Sequence, residues 1–455
     1  MKICVLNGSP KGADSTTVQY ARYMEKKIPG HEFVCFHVAA EIKKIEKNHE
    51  YFASVMEAVR SSDAVIWTFP LYVLLVHAGL KRFIELVWER DATGAFKGKY
   101  TALIAGSIHF FDNTAINYMQ AVCDDLEMPF AGFYSADMQD FLDEKKRANF
   151  LVFAGNFINA AQNRLPMPRV YAKVTEKKID YVPGIVSVLD TRGQKVVILT
   201  DCLDTGKNIG KMVERFRALT QADVIDISEI KMLASCQGCI HCGFDNECVF
   251  RGKDDVEEIY GRLKKYDVIV FAGEIRDRYL SARWKMFMDR RFFKTHQPHY
   301  AGKQIGYIVS GPLGQNQNML EIFRALAQLD FSNFCGVLTD EYNESPEIDQ
   351  RMDALASGMI AYARQKYIAP STFLGVGGFK IFRDDMWGRL RFPFRMDYAY
   401  YKKHKLYDFP QKDIKSRLQN AFMLLLIRFP KIKQSINQKM EEYMIMPYKK
   451  ILENE

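Results

Sequence analysis

Short apolar runs alternate with amphipathic helical stretches, and the whole series occurs twice. Residues 3–6, 33–38, 64–68 and 101–105 are apolar runs of strand length. Helical periodicity separates or follows them at 16–27, 49–60 and 114–126. The order returns as strands at 196–199, 224–227, 268–271 and 305–309, with helices at 209–219 and 254–265. The offset is about 200 residues, too long for a solenoid repeat and right for a duplicated domain. Continuous apolar strands joined by helices imply parallel βαβ units with helices on both faces. The expected fold is therefore α/β, two doubly wound parallel-sheet domains in tandem over 1–165 and 195–369. Residues 166–194 read as a linker, and 370–455 as a C-terminal extension. There Gly375, Gly377 and Gly378 interrupt the pattern, and residues 412–428 suit one amphipathic helix.

Charge separates the extension from the body. Residues 371–455 hold 17 Lys and Arg against 9 Asp and Glu, whereas the preceding 370 residues hold 46 of each. A neutral body excludes the basic face of a nucleic-acid binder. No apolar run reaches the roughly 20 residues that cross a bilayer, and the N-terminal run is too short for a signal peptide. A cytoplasmic location is expected. Nine cysteines in such a chain argue against a disulfide framework. Cys4, Cys35, Cys123, Cys202 and Cys335 read as small buried hydrophobes.

The first strand feeds the turn Gly8-Ser9-Pro10-Lys11-Gly12-Ala13-Asp14-Ser15-Thr16-Thr17. Backbone amides, the hydroxyls of Ser9, Ser15, Thr16 and Thr17, and a positive helix end make an anion cradle suited to phosphate. Neither nucleotide-loop glycine pattern is present, so a plain capped βα turn is the alternative. Asn7-Gly8-Ser9-Pro10-Lys11, Thr68-Phe69-Pro70-Leu71-Tyr72 and Leu80-Lys81-Arg82-Phe83 together resemble the flavodoxin-like NAD(P)H-dependent FMN reductases. That resemblance implies FMN as cofactor and NAD(P)H as reductant. Ser9, Lys11, Ser15 and Thr16 would hold the phosphate, and Pro70, Leu71, Tyr72 and Val73 would line the flavin. A third loop with Ser107 and His109 would stand across the ring. Lys11 replaces the family's arginine, keeping charge but losing bidentate geometry.

Four cysteines, Cys236, Cys239, Cys242 and Cys248, crowd thirteen residues with spacing Cys-x2-Cys-x2-Cys-x5-Cys. Such a run can wrap an iron–sulfur cluster, remain as metal-free redox thiols, or, with less ease, bind zinc. His241 within it reads as a loop residue. With the following Asp254–Tyr260 stretch it resembles the iron–sulfur flavoprotein branch of the same family, which implies a [4Fe–4S] cluster. The two resemblances cover about residues 1–135 and 195–340. Each half departs from the pattern differently. The first has no cysteine run. The second has Thr200-Asp201-Cys202-Leu203-Asp204 where the phosphate loop belongs, and Glu274-Ile275-Arg276-Asp277-Arg278 in place of Pro-x-Tyr. Two carboxylates oppose a bound phosphate, so one FMN, in the first half, is expected.

The resulting expectation is an FMN-dependent oxidoreductase passing electrons from a nicotinamide, through the cluster where present, to an acceptor. A non-catalytic electron carrier or redox sensor is the alternative. The extension reads first as a wrapper around both domains; docking on an anionic membrane, as peripheral contact, or on an acidic partner is the second reading. Duplication also predicts an internal pseudo-dimer. In it the 236–248 loop should face loops 8–17, 70–73 and 106–109.

Overall fold

The computed structural model describes residues 1–175 and 179–454. In the first half the chain runs β1 (Lys2–Asn7), α1 (Thr16–Lys27), β2 (Glu32–Phe36), α2 (Ile42–Lys47), α3 (His49–Arg60) and β3 (Ala64–Tyr72). It continues through β4 (Leu75–Val76), α4 (Ala78–Glu89), β5 (Tyr100–Ser107), α5 (Asp112–Asp125), β6 (Phe130–Asp137) and α6 (Glu144–Gln162). The second half repeats this as β7 (Val196–Thr200), α7 (Asn208–Thr220), β8 (Asp223–Asp226), α8 (Val256–Leu263), β9 (Val268–Glu274) and α9 (Ala282–Arg290). Then come β10 (Gln304–Ser310), α10 (Gln317–Leu329), β11 (Asn333–Thr339) and α11 (Ser345–Gln365).

The two main sheets have the same strand order, β2-β1-β3-β5-β6 and β8-β7-β9-β10-β11, with parallel pairing throughout. This is the flavodoxin-like doubly wound arrangement, which places ligands outside the carboxyl ends of the central strands. Ile3, Leu6, Val65, Trp67, Val197 and Ile269 are fully buried because helices cover both sheet faces. The strand after Ala64 runs further than its apolar run suggests. Pro70, Leu71 and Tyr72 belong to β3 itself, and Leu71 and Tyr72 pair antiparallel with β4. The stretch expected to line a flavin is therefore the tip of a hairpin, turned by Val73 and Leu74.

The two halves pack through counterpart helices, α4 on α9 and α5 on α10. The Ala78 amide donates to Asp289 of α9 at 2.8 Å, and the Ala282 amide donates to Glu85 of α4 at 2.6 Å. Each helix start is thus satisfied by an acid of its counterpart, the reciprocity expected of an isologous contact. Lys81 bridges Glu85 and Asp277 at 2.9 and 2.8 Å. Lys285 pairs with Asp289 and donates to the Tyr72 carbonyl at 2.8 Å. Burial disfavours the Lys81 charge, but Asp277 and Glu85 hold it protonated.

Beyond α11 the chain forms α12 (Phe373–Trp387), α13 (Arg395–Lys403), α14 (Ile414–Leu426) and α15 (Pro430–Asn454). The three glycines expected to break the helix lie inside α12. Packing explains them. A Cβ at Gly378 would come within 2.7 Å of Phe111 and 3.0 Å of Phe110. Residues 401–455 form a separate unit from residues 1–400, and the helix expected over 412–428 is α14. Among the scattered cysteines, Cys4 and Cys123 are buried, but Cys35 is exposed and Cys202 and Cys335 are half-buried. Cys35 sits on edge strand β2, which leaves one side open.

Candidate active site

Three loops of the first half meet at the carboxyl ends of β1, β3 and β5. The Gly8 amide donates to the Thr68 carbonyl at 2.7 Å, and the Lys11 amide donates to Ser9 Oγ at 3.2 Å. Ser9, Ser15 and Thr17 are buried, while Lys11 and Thr16 face outward. Ser15 Oγ and Thr17 Oγ1 are 2.8 Å apart. Ser15 therefore does not cap α1, and no acid lies in the first turn of that helix. The helix start keeps its positive end and its amides for a ligand. A Cβ at Gly106 would lie 2.7 Å from Thr17 Cγ2, so glycine keeps this cradle open.

The loops expected to flank a flavin ring carry backbone strain. Val73 and Leu74 have φ of 41° and 62°, and His109 and Phe111 have 58° and 53°. Non-glycine residues in this region cost of order 1–3 kcal/mol each and persist where surrounding structure holds them, commonly at ligand sites. Ser107 ends β5 and accepts from the His109 amide at 2.8 Å; His109 Nδ1 lies 3.0 Å from Asp112.

The other half supplies a wall. A side chain at Gly238 would overlap the Tyr72 hydroxyl and come within 3.2 Å of Lys11 Cε. His77, the N-cap of α4, accepts from the Gly79 amide through Nδ1 at 3.0 Å, which leaves Nε2 to donate to the Cys236 carbonyl at 3.0 Å. Lys43 donates to the Leu233 carbonyl at 2.8 Å. The 236–248 segment thus lies against the first half's loop 8–17 and its 70–73 hairpin. Burial, then Cys236 and Asp289, push the Tyr72 phenol well above its ordinary range, so it stays protonated.

Segment 372–400 adds a roof that its composition did not reveal. Phe382 stacks on Phe110 of the third loop at 3.9 Å between ring centroids and on His296 of the second half at 4.0 Å. Arg389 makes a two-pronged pair with Asp137, both contacts 2.6 Å. Phe244 of the cysteine segment meets Phe392. No spacing signal in the sequence links Arg389 or Phe382 to the loops they touch, because the partners lie more than 200 residues apart.

The counterpart site in the second half is closed. Asn208, at the start of α7, donates to the Ile179 carbonyl at 2.7 Å and to Asp340 at 2.9 Å, and accepts from the Tyr181 amide at 3.0 Å. The linker backbone is therefore anchored to the side chain that opens α7. Asp201 accepts from Ser281, and Asp204 Oδ1 accepts from the Gly206 amide at 2.8 Å. The residues replacing Pro-x-Tyr are engaged across the domain contact. Asp277 accepts from Lys81 and Tyr118 at 2.8 and 3.0 Å, and Arg278 pairs with Asp125 at 2.6 and 2.7 Å.

Cys236, Cys239, Cys242 and Cys248 line one small cavity of about 20 Å³ with Phe250, Arg290 and Phe292. Burial pushes the Cys236 thiol up to about 12 and raises Cys242 further, each also raised by its cysteine neighbours. Arg290 pairs with Asp254 at 2.6 Å. Its Nε has no hydrogen-bond partner, and Asp254 and Cys248 hold it charged against its burial. Among the described residues, no group of three or more His, Cys, Asp or Glu side chains is spaced to hold a metal ion. His241 lies on a short turn at His241–Gly243.

A family model described as NADPH-dependent FMN reductase matches residues 1–146 and 194–332, more than half of the chain. No curated protein matches it. Among solved structures, an apo NADH:FMN oxidoreductase (EMOB) is 17% identical over 35% of this chain and 89% of its own, with a TM-score of 0.30. The NAD(P)H:(acceptor) oxidoreductase FerB of Paracoccus denitrificans is 18% identical over 36% and 97%, with a TM-score of 0.29. General stress protein 14 of Treponema denticola, in complex with FMN, is 13% identical over 36% and 98%, with a TM-score of 0.27.

Proposed function

Because the chain belongs to the NADPH-dependent FMN reductase family, and with it to the NAD(P)H-dependent flavin oxidoreductases, we propose that it works with a single FMN, held by its first half. The contrast between α1 and α7 carries this reading. Neither helix start has a side-chain cap or a first-turn acid, but that of α1 is ringed by hydroxyls, whereas Asn208 of α7 is tied to the linker and to Asp340. Ser9, Ser15, Thr16 and Thr17 would hold the phosphate, with Lys11 balancing its charge. Pro70, Leu71, Tyr72 and Val73 would line one side of the ring, and Ser107 and His109 the other. Bound there, FMN supplies the hydride chemistry with NAD(P)H that the family name describes. The chain's part is to bind, orient and enclose. Protonated Tyr72 offers a neutral wall, and Phe110 with Phe382 excludes water from one flank. Hydride transfer demands no side-chain acid or base, so none is assigned.

Reconstitution with FMN tests this directly. One FMN per chain and NADPH oxidation are expected; two FMN per chain, or none, would overturn it.

The proposal extends to the cysteine cavity as the seat of a [4Fe–4S] cluster, which would draw the thiols closer together than their spacing in this structure. Four thiols line one cavity, and the Arg290 guanidinium in its wall would balance the negative charge of a thiolate-bound cluster. Anaerobic reconstitution with iron and sulfide should load about four irons per chain. Iron that fails to load, or loads equally after Cys242→Ser and Cys248→Ser, rules the cluster out.

A further inference from the structure

We infer that residues 401–455 dock on an anionic bilayer surface. At 100° per residue, Ile414, Leu418, Phe422 and Leu425 of α14 fall within an arc of about 80°. They are exposed by 63, 67, 60 and 54%. In α15, Met440, Met444, Tyr448 and Ile451 repeat the same spacing, and all are exposed. Two apolar stripes open to solvent are unusual in a soluble unit and mark an interaction surface.

Charge selects the occupant. Residues 402–439 carry ten Lys and Arg against two Asp. Lys415 and Arg417 border the α14 stripe on either side, where long cationic side chains reach lipid phosphates while the stripe enters the acyl boundary. A second copy of this unit would bring two strongly basic segments together, which disfavours self-association through these stripes. No helix among the described residues is long and apolar enough to cross a membrane, so contact is in the plane of the interface.

Cosedimentation of the full chain with vesicles tests the inference. Binding is expected to vesicles of phosphatidylcholine with about one-third phosphatidylglycerol, weakening as salt rises. Phosphatidylcholine alone should retain little. Leu418→Glu with Phe422→Glu should abolish binding, while unchanged FMN content confirms that residues 1–400 remain folded. Lys415→Gln, Arg417→Gln and Arg428→Gln together should weaken it roughly a hundredfold, at about tenfold or less per charge. The inference is overturned by absent binding to the anionic vesicles, by equal binding to both lipids, or by undiminished binding of the Glu variant. Stripe-dependent self-association without lipid binding overturns it too.

Discussion

Ser9 and Thr16 supply two of the four hydroxyls in the proposed phosphate cradle, beside Ser15 and Thr17. Replacing both with Ala removes two donors to a dianionic phosphate, each worth about 1.5–3 kcal/mol. Retained FMN should fall at least a hundredfold in affinity, read by fluorescence titration against the unmodified chain. His299 makes a different kind of prediction. It is buried, and that burial, with Arg291 and Lys294 nearby, holds its pKa well below the ordinary value; its Nε2 meets the Arg291 carbonyl at 2.8 Å. The folded state keeps it neutral while the unfolded chain protonates near pH 6.5. Unfolded chain therefore binds more protons below that pH, and stability falls as pH drops, by up to about 1.4 kcal/mol per unit from this group. Urea unfolding at stepped pH should show a shallower slope in His299→Gln.

Helices α6 and α12 test glycine in opposite directions. Gly155 in α6 has open space where a Cβ would go, whereas Gly378 in α12 faces Phe110, Phe111 and Leu329. Gly155→Ala should stabilise by about 0.5–1 kcal/mol through reduced backbone freedom in the unfolded chain. Gly378→Ala gains the same term, but forcing a methyl against two rings costs about 1–3 kcal/mol. Faster limited proteolysis around 387–395 is expected in that variant and not in Gly155→Ala. Arg389 lies just past the end of α12. Its partner Asp137 is held below the usual carboxylate range by the Arg389 hydrogen bonds, so the pair's support for the roof is complete above about pH 4 and lost as pH falls further.

At the scale of the whole molecule, the buried network between α4 and α9 couples the two halves. Lys81→Met would leave Asp277 without its cation in a dry interface, a loss of about 3–5 kcal/mol. Chemical denaturation should show it, and adding Asp277→Asn should recover part of the loss. The same network bears on the proposed single FMN. Asp277 and Arg278 hold the halves together from the positions that the resemblance would give to ring-lining residues, which in that reading are committed to a domain contact instead.

The α/β class, the duplication and the two chemical motifs were legible in the chain because they rest on local signals. Continuous apolar strands, a hydroxyl-rich turn before a helix and four closely spaced cysteines each lie within a few neighbouring residues. The acidic turn at Asp201 and Asp204, which departs from the hydroxyl-rich turn of the first half, was equally readable. Tertiary structure decided the rest. Gly375, Gly377 and Gly378 signalled a break by propensity, yet they lie within a helix in which Gly378 lets Phe110 and Phe111 approach closely. Pro70 and Tyr72 read as a loop but end a strand, because β4 folds back to pair with them. The linker's place over α7, the Arg389–Asp137 pair and the approach of Gly238 to Tyr72 join residues far apart in the chain. No local pattern encodes such contacts; they follow from two sheets packing through equivalent helices, which brings the cysteine loop of one half to the open site of the other.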